Sequence, residues 1–239
     1  MSAADSPVPV GEDAPVFEVM ATMRAMRRLK PDPVPDALLT RLVEAATWAP
    51  SGSNLQAYSF VVVTDRSQMA RLADLWRSCV DLYLGSVGAQ SPSTMDDDGW
   101  LRVCEAIGYQ RDHFHETPAV IVPCYGAPRV STEAGRSLLT RMAPGDVLRL
   151  GTRLSRVSAL NEASSIYPGV QNLLLAARAL GLGANITQWH VFLEHEWKDV
   201  LDIPRDVNMY AVIPVGWPLG RFGPVVRRPA AEVVHKDRW

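Results

Sequence analysis

A helix that has to stop, a turn of small polar residues and an apolar strand succeed one another between Pro35 and Val63. This junction constrains the fold more than any other stretch. The spacing predicts a helix over 35–48. Proline is tolerated in its first turn, Asp36 complements the dipole there, and Leu38, Leu39, Leu42, Val43 and Ala46 share one face. Pro50 ends it, and Ser51, Gly52, Ser53, Asn54 and Gln56 carry the chain to Tyr58–Val63, whose aromatic and β-branched residues read as a buried strand. Upstream, Lys30-Pro31-Asp32-Pro33-Val34-Pro35 cannot be helical, because each proline also pushes its predecessor toward extended geometry. An amphipathic helix feeding directly into a strand calls for helices packed on a sheet.

The remaining pattern agrees. Helices are expected over 15–26 and 67–84, then from about 99 to 116, and strands over 119–125, 183–189 and 209–215. Residues 85–99 are turn-rich, 126–160 read as a loop plus one helix, and 194–201 as a short helix. A helix over 167–180 holds Pro168 in its first turn and stops at Gly181. From Pro218 the tail carries Gly220, Gly223, Pro224 and Pro229 and is expected to run extended. Helices and strands alternate irregularly without a repeat, which gives an α+β fold: one domain over 15–239 behind a loose arm at 1–14.

Bulk properties narrow the function. A net charge of −2 over 239 residues argues against nucleic acid or a membrane surface as the partner. Three cysteines without CxxC spacing suggest neither a disulfide framework nor a zinc site, and a reducing cytoplasm is the expected compartment. The first residues lack the basic and apolar regions of a signal peptide, and no run approaches 18 apolar residues.

Three segments carry chemistry. If the first helix reaches Met26, Arg24 and Arg27 share a face and Arg28 lies one turn from Arg24, a pairing suited to a phosphate; a solvated basic face is the plain alternative. The 51–56 turn offers backbone N–H groups with side chains that both donate and accept, which a flat ring with a polar edge requires; alone, it is an ordinary loop. Ala179-Leu180-Gly181-Leu182-Gly183 follows a helix and lacks a third glycine, so it is no dinucleotide fingerprint and reads first as a helix cap. Tyr109 and His113, four apart, share a helix face and are candidates for substrate contact. His113 and His115 diverge on a helix, and Asp96-Asp97-Asp98 reads as a solvated loop, so no metal site is expected.

These segments occur in order, followed by Arg227-Arg228-Pro229-Ala230-Ala231-Glu232-Val233-Val234. Together they make residues 17–239 resemble the FMN-dependent nitroreductase family. The resemblance implies a nitroreductase-like α+β fold with a central, mostly antiparallel sheet flanked by helices. It also implies a homodimer in which each tail, 218–239, adds a strand to its partner's sheet, and a lid-like segment at 85–116. The implied FMN-binding residues are Arg24, Ala25, Met26, Arg27, Arg28 and Arg227, the turn residues Pro50, Ser51, Gly52, Ser53, Asn54 and Gln56, with Pro168, Gly169, Leu182 and Gly183. The turn is expected to reach the flavin of the other subunit. Ala25 stands where many members have serine, and Ala57-Tyr58 where many have Pro-Trp. The implied activity is ping-pong reduction of nitroaromatic or quinone acceptors by NADPH or NADH, with no side chain acting as a nucleophile. Reductive dehalogenation, flavin fragmentation and a flavin-binding module without turnover are the alternatives.

Overall fold

The computed structural model describes residues 10–86, 91–126, 140–141 and 144–239, with the side chains of 144–155 and 158 excepted. Within them the helices are α1 (Val16–Thr22), α2 (Asp36–Thr47), α3 (Arg66–Ser86), α4 (Asp97–His113), α5 (Pro144–Ala179) and α6 (Glu194–Leu201). The strands are β1 (Tyr58–Val63), β2 (Ala119–Tyr125), β3 (Gly183–Ala184), β4 (Asn208–Met209) and β5 (Ile213–Gly216). They form a sheet ordered β1-β2-β5-β3, with β4 also on β2, and every pairing is antiparallel.

β2 organises the packing because both of its faces are covered. Ala119, Ile121 and Tyr125 face a core built from α2 and α5, with Leu39, Leu42, Ile166, Val170 and Leu173. Val120, Val122 and Cys124 face the opposite core, with Met69, Leu72 and Trp76 of α3, Ile107 of α4 and Trp197 of α6. Alternation with period two therefore feeds two helical layers. Each fully buried valine or isoleucine contributes about 1.5–3 kcal/mol.

The α2–α5 contact is unusually close. A Cβ added at Gly169 would lie 2.8 Å from the Ala46 carbonyl oxygen, so only glycine lets the two backbones approach this far. α5 ends as expected: Gly181 takes φ +79°, Leu182 N–H bonds the Ala177 carbonyl at 2.8 Å and Gly181 N–H that of Arg178 at 3.2 Å.

Five expectations need correction. α1 stops at Thr22, and 23–28 are not helical, because Met26 N–H is recruited by the Ala184 carbonyl (3.0 Å) and Lys30 N–H by that of Trp217 (2.8 Å). The expected strand 183–189 pairs as a strand only at Gly183–Ala184, with an isolated bridge at Thr187, before a 3-10 turn at Trp189–Leu193. The expected strand 209–215 is two short strands, β4 and β5. Pro168 lies inside the 36-residue α5 rather than in a first turn; packing on two sides outweighs the one hydrogen bond that proline forgoes. The aspartate run also opens α4 instead of a loop, Asp96 accepting from Gly99 N–H at 2.7 Å. The expected arm and lid lie partly outside the described residues, at 1–9 and 87–90.

Candidate functional site

A cavity of about 310 Å³ opens where the strip after β3 passes α3 and α4. Its lining combines Arg27, Gln110, Asn185, Thr187 and Gln188 with Trp76, Ile186 and Trp189.

The strip 185–189 is held at three points. Asn185, 2% exposed, accepts through Oδ1 from Gln110 Nε2 at 2.9 Å, joining the strip to α4. Thr187 and Val212 exchange backbone hydrogen bonds of 3.1 and 2.9 Å, joining it to the strand side. Gln188 Nε2 donates to the Tyr167 hydroxyl, joining it to α5. Trp189 lies between Tyr83 (centroids 4.1 Å apart) and Trp76 (5.4 Å), and Trp76 continues onto Phe114 (5.3 Å). Such stacking fixes the indole as a rigid wall.

Behind this wall, His190 is fully buried, its Nε2 3.2 Å from the Met209 carbonyl. Burial pulls its pKa below the ordinary value, which favours the neutral ring. Lys198, 5% exposed, bonds Glu194 at 2.7 Å beside it.

Arg27 reaches the cavity from the segment 23–28, which is pinned between β3 and the tail. Met26 N–H bonds Ala184, Leu219 N–H bonds the Arg28 carbonyl at 3.0 Å, and Leu29 bridges Pro218. Burial draws the Arg27 guanidinium below its usual pKa, with the Tyr83 phenol opposing. Among the described residues no carboxylate forms an ion pair with it. A half-buried cation without an acidic partner favours an anionic ligand.

The other expected site residues are more dispersed. With 23–28 non-helical, Arg24 and Arg27 do not share a helix face, and Arg24, Ala25 and Arg28 are exposed. Met26 (8% exposed) is a core residue, as is Leu182 (1%). Gly183 is enclosed by Leu29, Met26 and Pro218, which a Cβ would meet at 2.9–3.2 Å. Pro168 and Gly169 lie in α5, Gly169 against α2, and neither lines the cavity. Arg227 sits on the exposed tail with Nη1 on the Val226 carbonyl, 2.8 Å away. Tyr109 and His113 stack at 4.2 Å with Arg28 over the Tyr109 ring and Glu116 3.1 Å from His113 Nδ1, next to the cavity residue Gln110.

The 50–56 turn is strained and exposed. Ser53, Asn54 and Gln56 take φ of 51°, 52° and 50° without being glycine. Each such residue costs roughly 1 kcal/mol or more and persists only where neighbours enforce it. Here Gln56 N–H bonds Ser51 Oγ (3.1 Å), Gln56 Nε2 bonds Asn54 Oδ1 (3.2 Å) and Gly52 N–H bonds Ser165 Oγ of α5 (3.0 Å). Pro50 and these residues do not line the cavity of their own chain.

Sequence reasoning missed Trp76, Gln110, Asn185, Ile186, Thr187 and Gln188. The available signal was polar: Asn185 and Gln188 lie shortly after Gly183 in sequence, and Gln110 (3% exposed) is an uncharged polar residue that the structure buries on α4. Among the described residues the lining includes no carboxylate, thiol or imidazole; the groups it offers are amides, a hydroxyl, a guanidinium and indoles, which bind and orient a ligand.

Comparison with known proteins agrees with this architecture. A family model described as the nitroreductase family matches residues 20–217. A 5,6-dimethylbenzimidazole synthase from Rhodospirillum rubrum is 27% identical over 216 residues, covering 86% of this chain and 87% of that protein. An NADH dehydrogenase from Thermus thermophilus is 52% identical over only 42 residues, 18% of this chain, so the match spans a fifth of that relative's length (20%). Among solved structures, iodotyrosine deiodinase bound to FMN and 3-iodo-L-tyrosine superposes with a TM-score of 0.65 at 18% identity, covering 94% of this chain and all of that one (100%). An NADPH:FMN oxidoreductase from Vibrio harveyi complexed with NAD+ gives 0.63 at 21% identity, covering 94% and 77%.

Proposed function

Because the chain belongs to the nitroreductase family, we propose that it is an FMN-dependent oxidoreductase. In this reading it takes reducing equivalents from NADPH or NADH and passes them to nitroaromatic or quinone-type acceptors. The carrying observation is the donor set of the cavity: a half-buried Arg27 without an acidic partner among the described residues, amides on both sides, and a stacked tryptophan wall. That set fits FMN, whose phosphate needs a cation and whose flat ring needs an apolar face and a polar edge of donors and acceptors. When bound, FMN supplies the electron chemistry, and the protein supplies binding, orientation and electrostatics.

Arg27 would hold the phosphate charge; the exposed Arg24 and Arg28 lie in the same segment, and Arg227, on the tail, is a further candidate cation. Gln110, Asn185 and Gln188 orient the polar edge of the ring, and Trp76 and Trp189 exclude water from one side. Reductant and acceptor occupy the open side in turn, in a ping-pong sequence, beside Tyr109 and His113. Ser51, Ser53, Asn54 and Gln56 would reach the site of a second copy; the left-handed backbone of Ser53, Asn54 and Gln56 on an exposed turn supports this reading.

A homodimer is supported by two complementary surfaces. β1 is an edge strand, flanked by a groove of about 440 Å³ between α2 and β1 that includes Leu39, Val43, Phe60 and Val62. The tail is open, with Val226 91%, Val234 65% and Trp239 99% exposed. An extended tail laid along an edge strand pairs its backbone and buries those side chains. No helix among the described residues is long and apolar enough to cross a membrane, and free thiols at Cys79, Cys104 and Cys124 fit a reducing cytoplasm.

The test is steady-state oxidation of NADPH and NADH by FMN-reconstituted protein with a nitroaromatic and a quinone. Saturable turnover with parallel double-reciprocal lines is expected. A holoprotein that turns over none of these pairs overturns the reductase reading and leaves a flavin-binding module.

A further inference from the structure

Gln188 differs from the other amides of the cavity in having its orientation decided by a third group. Its Nε2 donates to the Tyr167 hydroxyl, and that hydroxyl donates to the backbone carbonyl of Tyr210 at 3.1 Å. A carbonyl only accepts, so the single phenolic proton is committed to Tyr210 and the Tyr167 oxygen has to accept from Gln188. The amide nitrogen of Gln188 therefore faces Tyr167, and its Oε1 is left for the cavity. Gln110 and Asn185 face each other, and both amides can turn over together without losing their bond. Gln188 cannot.

The support is itself rigid. Tyr167 projects from α5, its ring meets Tyr210 edge-on at 5.8 Å, and Tyr210 Oη bonds Glu162 Oε2 at 2.6 Å, which also accepts from Asn208 at 2.9 Å. Gln188 is exposed, so without Tyr167 its side chain would sample several rotamers and both amide orientations.

We propose that Tyr167 is a positioning residue that sets the amide of Gln188 so that the cavity presents a hydrogen-bond acceptor to a lactam or amide N–H of the ligand. The inference rests on the flavin-enzyme reading above. Two ligands carry that chemistry there: the N–H of the flavin pyrimidine ring and the carboxamide of a nicotinamide. A carbonyl in this place also discriminates against ligands that offer only acceptors, since two lone pairs would then face each other undonated.

Tyr167→Phe removes the hydroxyl and keeps the ring. Dissociation constants for FMN are measured with apoprotein by flavin fluorescence, together with the absorption spectrum of bound flavin and KM for NADPH and NADH. An FMN affinity weakened on the order of 3- to 10-fold, with a shifted flavin band, assigns the N–H to flavin. Unchanged FMN affinity with KM for the reductant raised by a similar factor assigns it to nicotinamide.

The same measurements on Gln188→Leu and on the double variant separate positioning from structure. Once Gln188 is gone, Tyr167→Phe should have no further effect. Equal losses from Tyr167→Phe in both backgrounds, or no change in either ligand, overturn the proposal while FMN binding by the unsubstituted protein leaves the flavoenzyme reading intact. An unsubstituted protein that binds no FMN overturns both.

Discussion

Replacing Arg27 by methionine separates a ligand-binding cation from a structural one. The side chain keeps an unbranched apolar stem but loses the guanidinium, which is half-buried at the cavity and has no ion-pair partner among the described residues. A charge-assisted hydrogen bond contributes about 1.5–3 kcal/mol, which corresponds to roughly 10- to 150-fold in affinity. Arg27→Met should therefore weaken FMN by that factor and leave riboflavin, which lacks the phosphate, nearly unaffected. The apoprotein should be no less stable, because the substitution removes a desolvated charge that no carboxylate among the described residues neutralises. Fluorescence titration with both flavins and thermal melting of the apoprotein measure these quantities. If FMN affinity is retained and the apoprotein melts several degrees lower, Arg27 is a packing residue and the phosphate assignment fails.

Three further outcomes probe the scaffold. Gly169→Ala places a methyl 2.8 Å from the Ala46 carbonyl, and the forced separation of α2 and α5 should cost about 1–3 kcal/mol, outweighing the gain of roughly 1 kcal/mol in helix propensity; denaturant unfolding measures the balance. His190 has a folded pKa lowered by burial, which the Met209 carbonyl and Glu194 oppose and Lys198 reinforces. Its contribution to stability is thus complete above the unfolded value near 6.5, and it is lost as pH falls from there toward the folded pKa, since the unfolded chain binds the proton first. Melting temperatures should drop over that window, and His190→Phe should flatten the trend. Lys198→Met strips Glu194 of its partner 2.7 Å away and should destabilise by about 1–3 kcal/mol, while adding Glu194→Met should recover most of it; a double variant as unstable as the single one would contradict an ion-pair role.

What could be read in advance follows from how local each cause is. The run Ala119–Tyr125 announces a strand by composition alone, and Gly181 announces a helix end because a left-handed cap needs a residue without a Cβ. Residues 23–26 leave the helix expected over 15–26 because the groups that hold this segment and the residues after it, Ala184, Trp217 and Leu219, lie more than 150 positions away. The cavity strip was hidden for the same reason. Thr187, Gln188 and Asn185 look like an ordinary continuation of a strand until Val212, Tyr167 and Gln110 converge on them. The turn after Pro50 was legible as polar and tight, but its left-handed conformation at Ser53, Asn54 and Gln56 was not, since no glycine marks those positions.

The central claim is that this cavity and a nicotinamide reductant work on the same flavin. Anaerobic titration of the FMN-loaded protein with NADPH, and separately NADH, tests it directly through the long-wavelength flavin absorption. Bleaching is expected at about one equivalent of at least one nicotinamide per flavin, with return of the colour on adding a quinone. Flavin that stays oxidised with both nicotinamides yet bleaches with dithionite would contradict it.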